Sequence, residues 1–222
     1  MSIKLRLKYS KTGRAKYISH LDLSVTMHRA FLRAETPLSY SAGFNPHPYI
    51  SVALPIKVGD ESICELLDFA VTENFTPPED FPQKLTHTLP EGIEISGIYS
   101  SSRKFSQIAW VDVHGSLLYQ HTDSNFADDL KECFSRDEIM ITKKSKSGFS
   151  ELNISPFIKD IEFCCNDDGK TISMSAKISA QNPSITPDNI ISTLDGQFLR
   201  LKPQHYSFTR KQLLEADFSP FY

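Results

Sequence analysis

No apolar run in the 222 residues is long enough to span a bilayer, and the N-terminal "MSIKLRLKYSKTG" lacks the apolar region of a signal peptide. Neither a membrane span nor secretion is indicated, and a cytoplasmic location is the expectation. Cysteine is scarce. Cys64, Cys133, Cys164 and Cys165 form no C-x-x-C pair, and the adjacent Cys164 and Cys165 cannot easily join each other or chelate one metal tetrahedrally. They read as buried or incidental thiols. The chain has no G-x-S-x-G, P-loop, H-E-x-x-H or dinucleotide-binding fingerprint, which leaves the common hydrolase, NTPase and dehydrogenase classes little support. His20, Asp22, His28 and His47 could supply N/O ligands only if the loop folds onto the first helix, and His28 lies about two helical turns from His20, too far for direct chelation. No metal or other cofactor is expected.

Net charge is −3, a total that conceals an uneven distribution. Residues 1–58 hold nine Lys/Arg against Asp22 and Glu35, a surplus of seven positive charges, whereas residues 59–104 hold three positive and nine negative side chains. The whole-chain charge is therefore a poor guide to partners.

Hydrophobic periodicity gives the organisation. "IKLRLK" (3–8) alternates strictly, with Ile3, Leu5 and Leu7 on one side and Lys4, Arg6 and Lys8 on the other, which predicts a half-buried strand with a cationic face. Ser19 and Asp22 make a possible capping box, and Leu23, Met27, Ala30, Phe31 and Ala34 follow at helical spacing, so a helix is expected over about 19–34. "YISVAL" (49–54) and "CELLDFAV" (64–71) read as strands, "PEDFPQKLTHTL" (78–89) as a short helix and "GIEISGIY" (92–99) as a closing strand. The order β-α-β-β-α-β is the ferredoxin-like arrangement.

A similar order recurs after residue 105. "QIAWVDVHGSL" is a strand, "DSNFADDLKECF" a helix and "EIMITK" a strand; "IKDIEFCC" and "KTISMSAKI" form a hairpin around Asn166-Asp167-Asp168-Gly169. A helix "TPDNIISTL", begun by Thr186 and Pro187, and a strand "HYSFTR" complete it. The expected fold class is α+β, two tandem ferredoxin-like units (1–104 and 105–222) with antiparallel sheets and helices on one face. The irregular segment "KKSKSGFSELNISPFI" is a candidate extra hairpin.

The blocks "GRAKYISHLDL", "PLSYSAGFNPHPYISVALPIKVGDES" and "ELLDF", in that order, resemble the radical SAM-linked protein family, a domain of unknown function. "NISPFIKDIE" is compatible with the family's second half, and "SFTRKQLLEADFSPFY" matches it weakly. Members are typically fused to, or encoded beside, a radical S-adenosylmethionine enzyme with a cobalamin-binding domain. The resemblance implies an accessory module with such an enzyme as partner. The chain is not itself that enzyme, because it has no C-x-x-x-C-x-x-C cluster-binding run and no long α/β barrel pattern.

Two regions are candidate sites. In "YSAGFNPHPY" (40–49), Pro46 and Pro48 push Asn45 and His47 toward extended backbone and Gly43 permits a positive φ, so the loop can display Phe44, Asn45, His47 and Tyr49 in one shape. The plainer reading is a Pro-rich lead into a strand. The loop is expected to bring His47 toward His20 and Asp22 to form one partner- or ligand-binding site, although Ser19 and Asp22 are also helix-capping residues. The second region is the basic strand with its adjoining loop. Lys4, Arg6, Lys8, Lys11, Arg14 and Lys16 would follow phosphates of structured RNA, with Tyr17, Tyr40, Phe44 or Tyr49 as rings for unpaired bases. Against this stands the acidic block 59–104, which could cover and neutralise the stripe. The preferred expectation is a non-catalytic accessory protein of a radical SAM modification system that binds RNA, either tRNA or rRNA. A protein-docking adaptor using "GFNPHP" is the main alternative, and a His-dependent ribonuclease using His20 or His47 is a third.

Overall fold

In the computed structural model, which describes residues 2–123, 125–145 and 148–222, the alternating N-terminal segment forms β1 (Ser2–Lys11). Its odd-numbered residues face the first core. Leu5 lies opposite Phe69 and Leu7 opposite Leu67 of the antiparallel β3 (Glu61–Thr72), and Leu5, Leu7 and Tyr9 are buried. On its other edge β1 pairs antiparallel with β4 (Ile93–Tyr99), and the short β2 (Ile50–Val52) pairs antiparallel with β3. The sheet order in this unit is β4-β1-β3-β2. The chain divides into two units, the first reaching Phe105 and including Tyr222, the second running from Ser106 to Phe221.

Two helices cover the odd face of β1. In α1 (His20–Arg33), Ser19 is extended and its hydroxyl accepts from the Asp22 amide at 3.2 Å, which satisfies one of the orphan N–H groups of the first turn. Leu23, Met27, Ala30 and Phe31 are buried, and the Phe31 ring packs 4.6 Å from that of Phe69. The leucine, methionine and phenylalanine side chains contribute roughly 1.5–3 kcal/mol each on full burial. The short α2 (Phe81–Thr86) adds Phe81 and Leu85 to the same cluster. Gly92 secures the start of β4. Its φ is +91°, its carbonyl accepts from the Thr12 amide at 2.8 Å, and a Cβ would fall 2.2 Å from the Thr12 oxygen.

The second unit repeats this path with an addition. After β5 (Trp110–Leu118) and α3 (Phe126–Phe134) come β8 (Ile158–Cys165), β9 (Thr171–Ser179), α4 (Pro187–Gln197) and β10 (His205–Leu214), in antiparallel sheet order β10-β5-β9-β8. Phe126, Leu130, Cys133 and Phe134 form the buried side of α3, with Phe134 5.7 Å from Phe163 of β8. A capping box of Thr186 and Asn189 with Pro187 opens α4. The addition is a hairpin of β6 (Met140–Ser145) and β7 (Gly148–Asn153), inserted between α3 and β8. No helix among the described residues is long and apolar enough to cross a membrane.

Three expectations change. "EIMITK" does not join the main strands of its unit, because its partner is β7; the candidate hairpin segment supplies that partner. Ile3 is 38% exposed and not in the core. The β1–β4 pairing covers only Arg6–Lys11, so Ile3 has no β4 neighbour to close over it. Arg6 faces away from Leu5 and Leu7 yet is buried, at 1% exposure. The face that carries the cations is not open, since Leu66 and Ala70, opposite Lys8 and Lys4, are buried as well.

Candidate functional site

Residues 36–54 contain no Asp, Glu, Lys or Arg. The loop within them is closed at its base. The Ser41 amide donates to the His47 carbonyl at 2.8 Å, the His47 amide donates to Ser41 Oγ at 3.0 Å, and Tyr40 bridges to Pro48. Gly43 adopts φ +125°, a region open to glycine at little cost, and carries the turn at the tip. Phe44, Asn45 and His47 are exposed, Phe44 completely, and Tyr40 and Tyr49 are about half exposed. An apolar ring held fully in water on an anchored tip gains nothing for the fold.

The loop meets α1 through His28, whose Nε2 lies 3.1 Å from the Tyr40 hydroxyl with the rings edge to face. His28 belongs to a row of Leu21, Val25, His28 and Leu32 at i, i+4, i+7 and i+11, one side of the helix, and Leu21, Val25 and Leu32 are exposed. Fixed loop and apolar helix row thus adjoin at the His28–Tyr40 pair. His20 and Asp22 are exposed at the start of α1. The Asp22 carboxylate accepts from Ser19 Oγ at 2.7 Å, and the His20 carbonyl accepts from Ser24 Oγ at 3.0 Å. Among the described residues no hydrogen bond joins His47 to His20 or Asp22, so the histidine that ties helix to loop is His28.

The basic strand is largely spent internally. Arg6 Nε and NH2 donate to the two Asp68 oxygens at 2.7 and 2.9 Å, NH2 also donates to the Arg103 carbonyl at 2.7 Å, and the guanidinium lies 4.4 Å from the Phe105 ring centre. Register explains the pair, because Asp68 is directly opposite Arg6 across β1 and β3. Lys11 is buried and donates to the Lys16 carbonyl at 3.1 Å. Burial lowers its pKa, opposed by the charges of Glu65 and Asp60. Lys16 pairs with Glu61 at 3.3 Å and lies 5.6 Å from the exposed ring of Tyr17. Lys8 is half-buried over the Tyr222 ring, while Lys4 and Arg14 are exposed. Arg6 and Lys11 are therefore not exposed to follow the phosphate backbone of an RNA, and acids of the 59–104 block answer Arg6 and Lys16.

Sequence reasoning passed over Asp68, Tyr99, Phe105 and Tyr222 around Arg6, and Leu21, Val25 and Leu32 on α1. The i, i+4, i+11 spacing of the latter was a usable signal; the Arg6 surroundings needed the register. In the second unit a cleft of about 410 Å³ is lined by Asp129, Glu132, Cys133, Arg136, Phe198 and Arg200. Arg200 is bound to Asp129 at 2.9 Å and burial raises the Cys133 pKa, so the cleft offers no activated thiol. Among the described residues no three His, Cys, Asp or Glu are grouped to hold a metal.

These features define a mixed α+β chain with an anchored, charge-free display loop. The chain belongs to the family described as "Uncharacterized protein conserved in bacteria (DUF2344)", whose model matches residues 4–187. That description assigns no activity and names no radical SAM partner. Comparison with curated proteins finds no match. Among solved structures the chain is similar in fold to a chain of "Crystal Structure of a Cbf5-Nop10-Gar1 Complex", with TM-score 0.50 and 8% identity, over 97% of this chain and 50% of that one. It thus spans about half of that neighbour's length. A match to "Cryo-EM structure of the encapsulated DyP-type peroxidase from Mycobacterium smegmatis" has TM-score 0.21 and 13% identity over 88% of this chain and 84% of that one, and carries no argument.

Proposed function

We propose that the chain is a non-catalytic accessory module that docks a protein partner through residues 40–49 and the outward row of α1. The radical SAM enzyme implied by the motif resemblance is the partner. Each unit is read as ferredoxin-like, the second with a hairpin inserted. The observation that carries the reading is Phe44, fully exposed on a hydrogen-bonded loop inside a segment without a formal charge. Aromatic anchors of this kind dominate protein interfaces, and a loop already held in shape loses little entropy on binding. The match to a chain from a multiprotein complex supports the fold of such a module and nothing finer.

The RNA reading keeps Lys4, Arg14 and Tyr17, which are exposed, but loses the continuous stripe with Arg6 and Lys11. A charge-free loop also has no means of releasing phosphate counterions. Purification of the chain from its own cells, with and without nuclease, separates the two. A protein companion that survives nuclease and is lost from a Phe44→Ala chain is expected. Loss of every companion on nuclease treatment would return the RNA reading.

A further inference from the structure

Asp68, Arg6 and Tyr99 form one row across the first unit's sheet, since Arg6 is paired with Asp68 on β3 and with Tyr99 on β4. We propose that this row is a binding site for a small anion that carries a flat ring, and that Tyr222 occupies it in this structure. Asp68 and the Arg103 carbonyl fix the Arg6 fork through bonds of 2.7–2.9 Å. Arg6 NH1 donates to the Tyr222 main-chain oxygen over a longer 3.3 Å, and the Tyr222 ring covers the Lys8 ammonium at 5.3 Å. One residue thereby supplies an oxygen acceptor to an oriented guanidinium and a ring to a second cation.

The Tyr99 hydroxyl, in the same row, is buried with no hydrogen-bond partner among the described residues. A buried hydroxyl left unbonded is costly, and such groups mark places where a further acceptor fits. Burial raises the Tyr99 pKa, so the phenol stays a donor at neutral pH. An oxyanion could accept from both Arg6 NH1 and Tyr99 while its ring takes the position of the Tyr222 ring over Lys8, a set of contacts that Tyr222 satisfies only in part. The site shares no residue with the docking loop, so either proposal can fail alone. The ligand chemistry, an oxyanion beside a planar ring, is met by nucleoside monophosphates and by aromatic carboxylates.

The test is calorimetric titration of the unaltered and Tyr222→Ala chains with uridine 5′-monophosphate, with N-acetyl-tyrosine and with inorganic phosphate. Tyr222→Ala should bind at least one ring-bearing anion about tenfold tighter or more than the unaltered chain does, because the competing ring over Lys8 is gone and only the long main-chain contact to Arg6 NH1 is left to displace. Which of the two gains identifies the source. Adding Tyr99→Phe should reverse about tenfold of that gain. No gain for either ring-bearing anion, an equal gain for phosphate alone, or indifference to Tyr99→Phe overturns the proposal. Should Tyr222→Ala not fold by circular dichroism, titration of the unaltered chain decides. The Tyr222 ring resonances must then shift at millimolar ligand, and unmoved resonances overturn the site.

Discussion

Both units place their main elaboration at the same point of the path, between the first helix and the strand that follows it, and fill it with opposite chemistry. In the first unit, residues 34–49 form a loop whose one formal charge is Glu35, whereas in the second, residues 135–157 carry a hairpin that holds Lys143 and Glu151 and is preceded by Arg136, Asp137 and Glu138. The hairpin exposes a phenylalanine too, Phe149, but among charged neighbours, whereas Phe44 is fully exposed in a segment that has none. Repeated topology therefore does not imply repeated role, because a site lives in what is added to the shared scaffold.

The largest expected effect breaks the pairing between cations and acids in the first unit. Arg6→Ala should cost about 2–4 kcal/mol in urea unfolding, since it empties a buried position and removes the short hydrogen bonds to Asp68 and the Arg103 carbonyl. Arg14→Ala, at an exposed position, should cost about 0–1 kcal/mol. Equal costs would return Arg6 to the surface. Next, Gly92→Ala should destabilise by roughly 1–3 kcal/mol, because a Cβ is strained at φ +91° and would collide with the Thr12 carbonyl, which is backbone and cannot swing aside. Gly43→Ala meets no neighbouring atom and pays only for its φ, so the smaller loss belongs to the loop.

How much of this was legible in the sequence depends on the range of the cause. The helix over 19–34 was readable because its cap and apolar spacing are local, and α1 spans His20–Arg33 with Ser19 as its cap. The alternation of β1 identified its two faces correctly for Leu5, Leu7 and Arg6. What alternation cannot tell is whether the second face is covered. Arg6 looks like a surface cation until Asp68, sixty-two residues later, is set opposite it by register. Likewise the special backbone of residues 40–49 was visible in Pro46, Pro48 and Gly43, but the contact that ties the loop to α1 runs through His28 and Tyr40, a pair that no local rule selects.

A smaller effect tests the buried row by pH. Burial raises the Tyr99 pKa above the ordinary 10.0, so the folded chain holds this proton where the unfolded chain releases it. The contribution to stability is complete below pH 10 and declines as pH rises through the folded value. Burial raises the Tyr119 pKa as well, so absorbance at 295 nm should show late-ionising phenol whose amplitude falls by one residue in Tyr99→Phe; an unchanged titration would mean that the Tyr99 hydroxyl is solvated.

The central claim, that the loop and not the basic strand is the first unit's interaction surface, is tested most directly by titrating the protein companion into Phe44→Ala and Arg14→Ala chains at two salt concentrations. The account predicts that Phe44→Ala weakens binding by about 2–4 kcal/mol at both salts, while Arg14→Ala changes it by less than about 1 kcal/mol. A larger loss for Arg14→Ala, accompanied by a flatter dependence on salt, would contradict it.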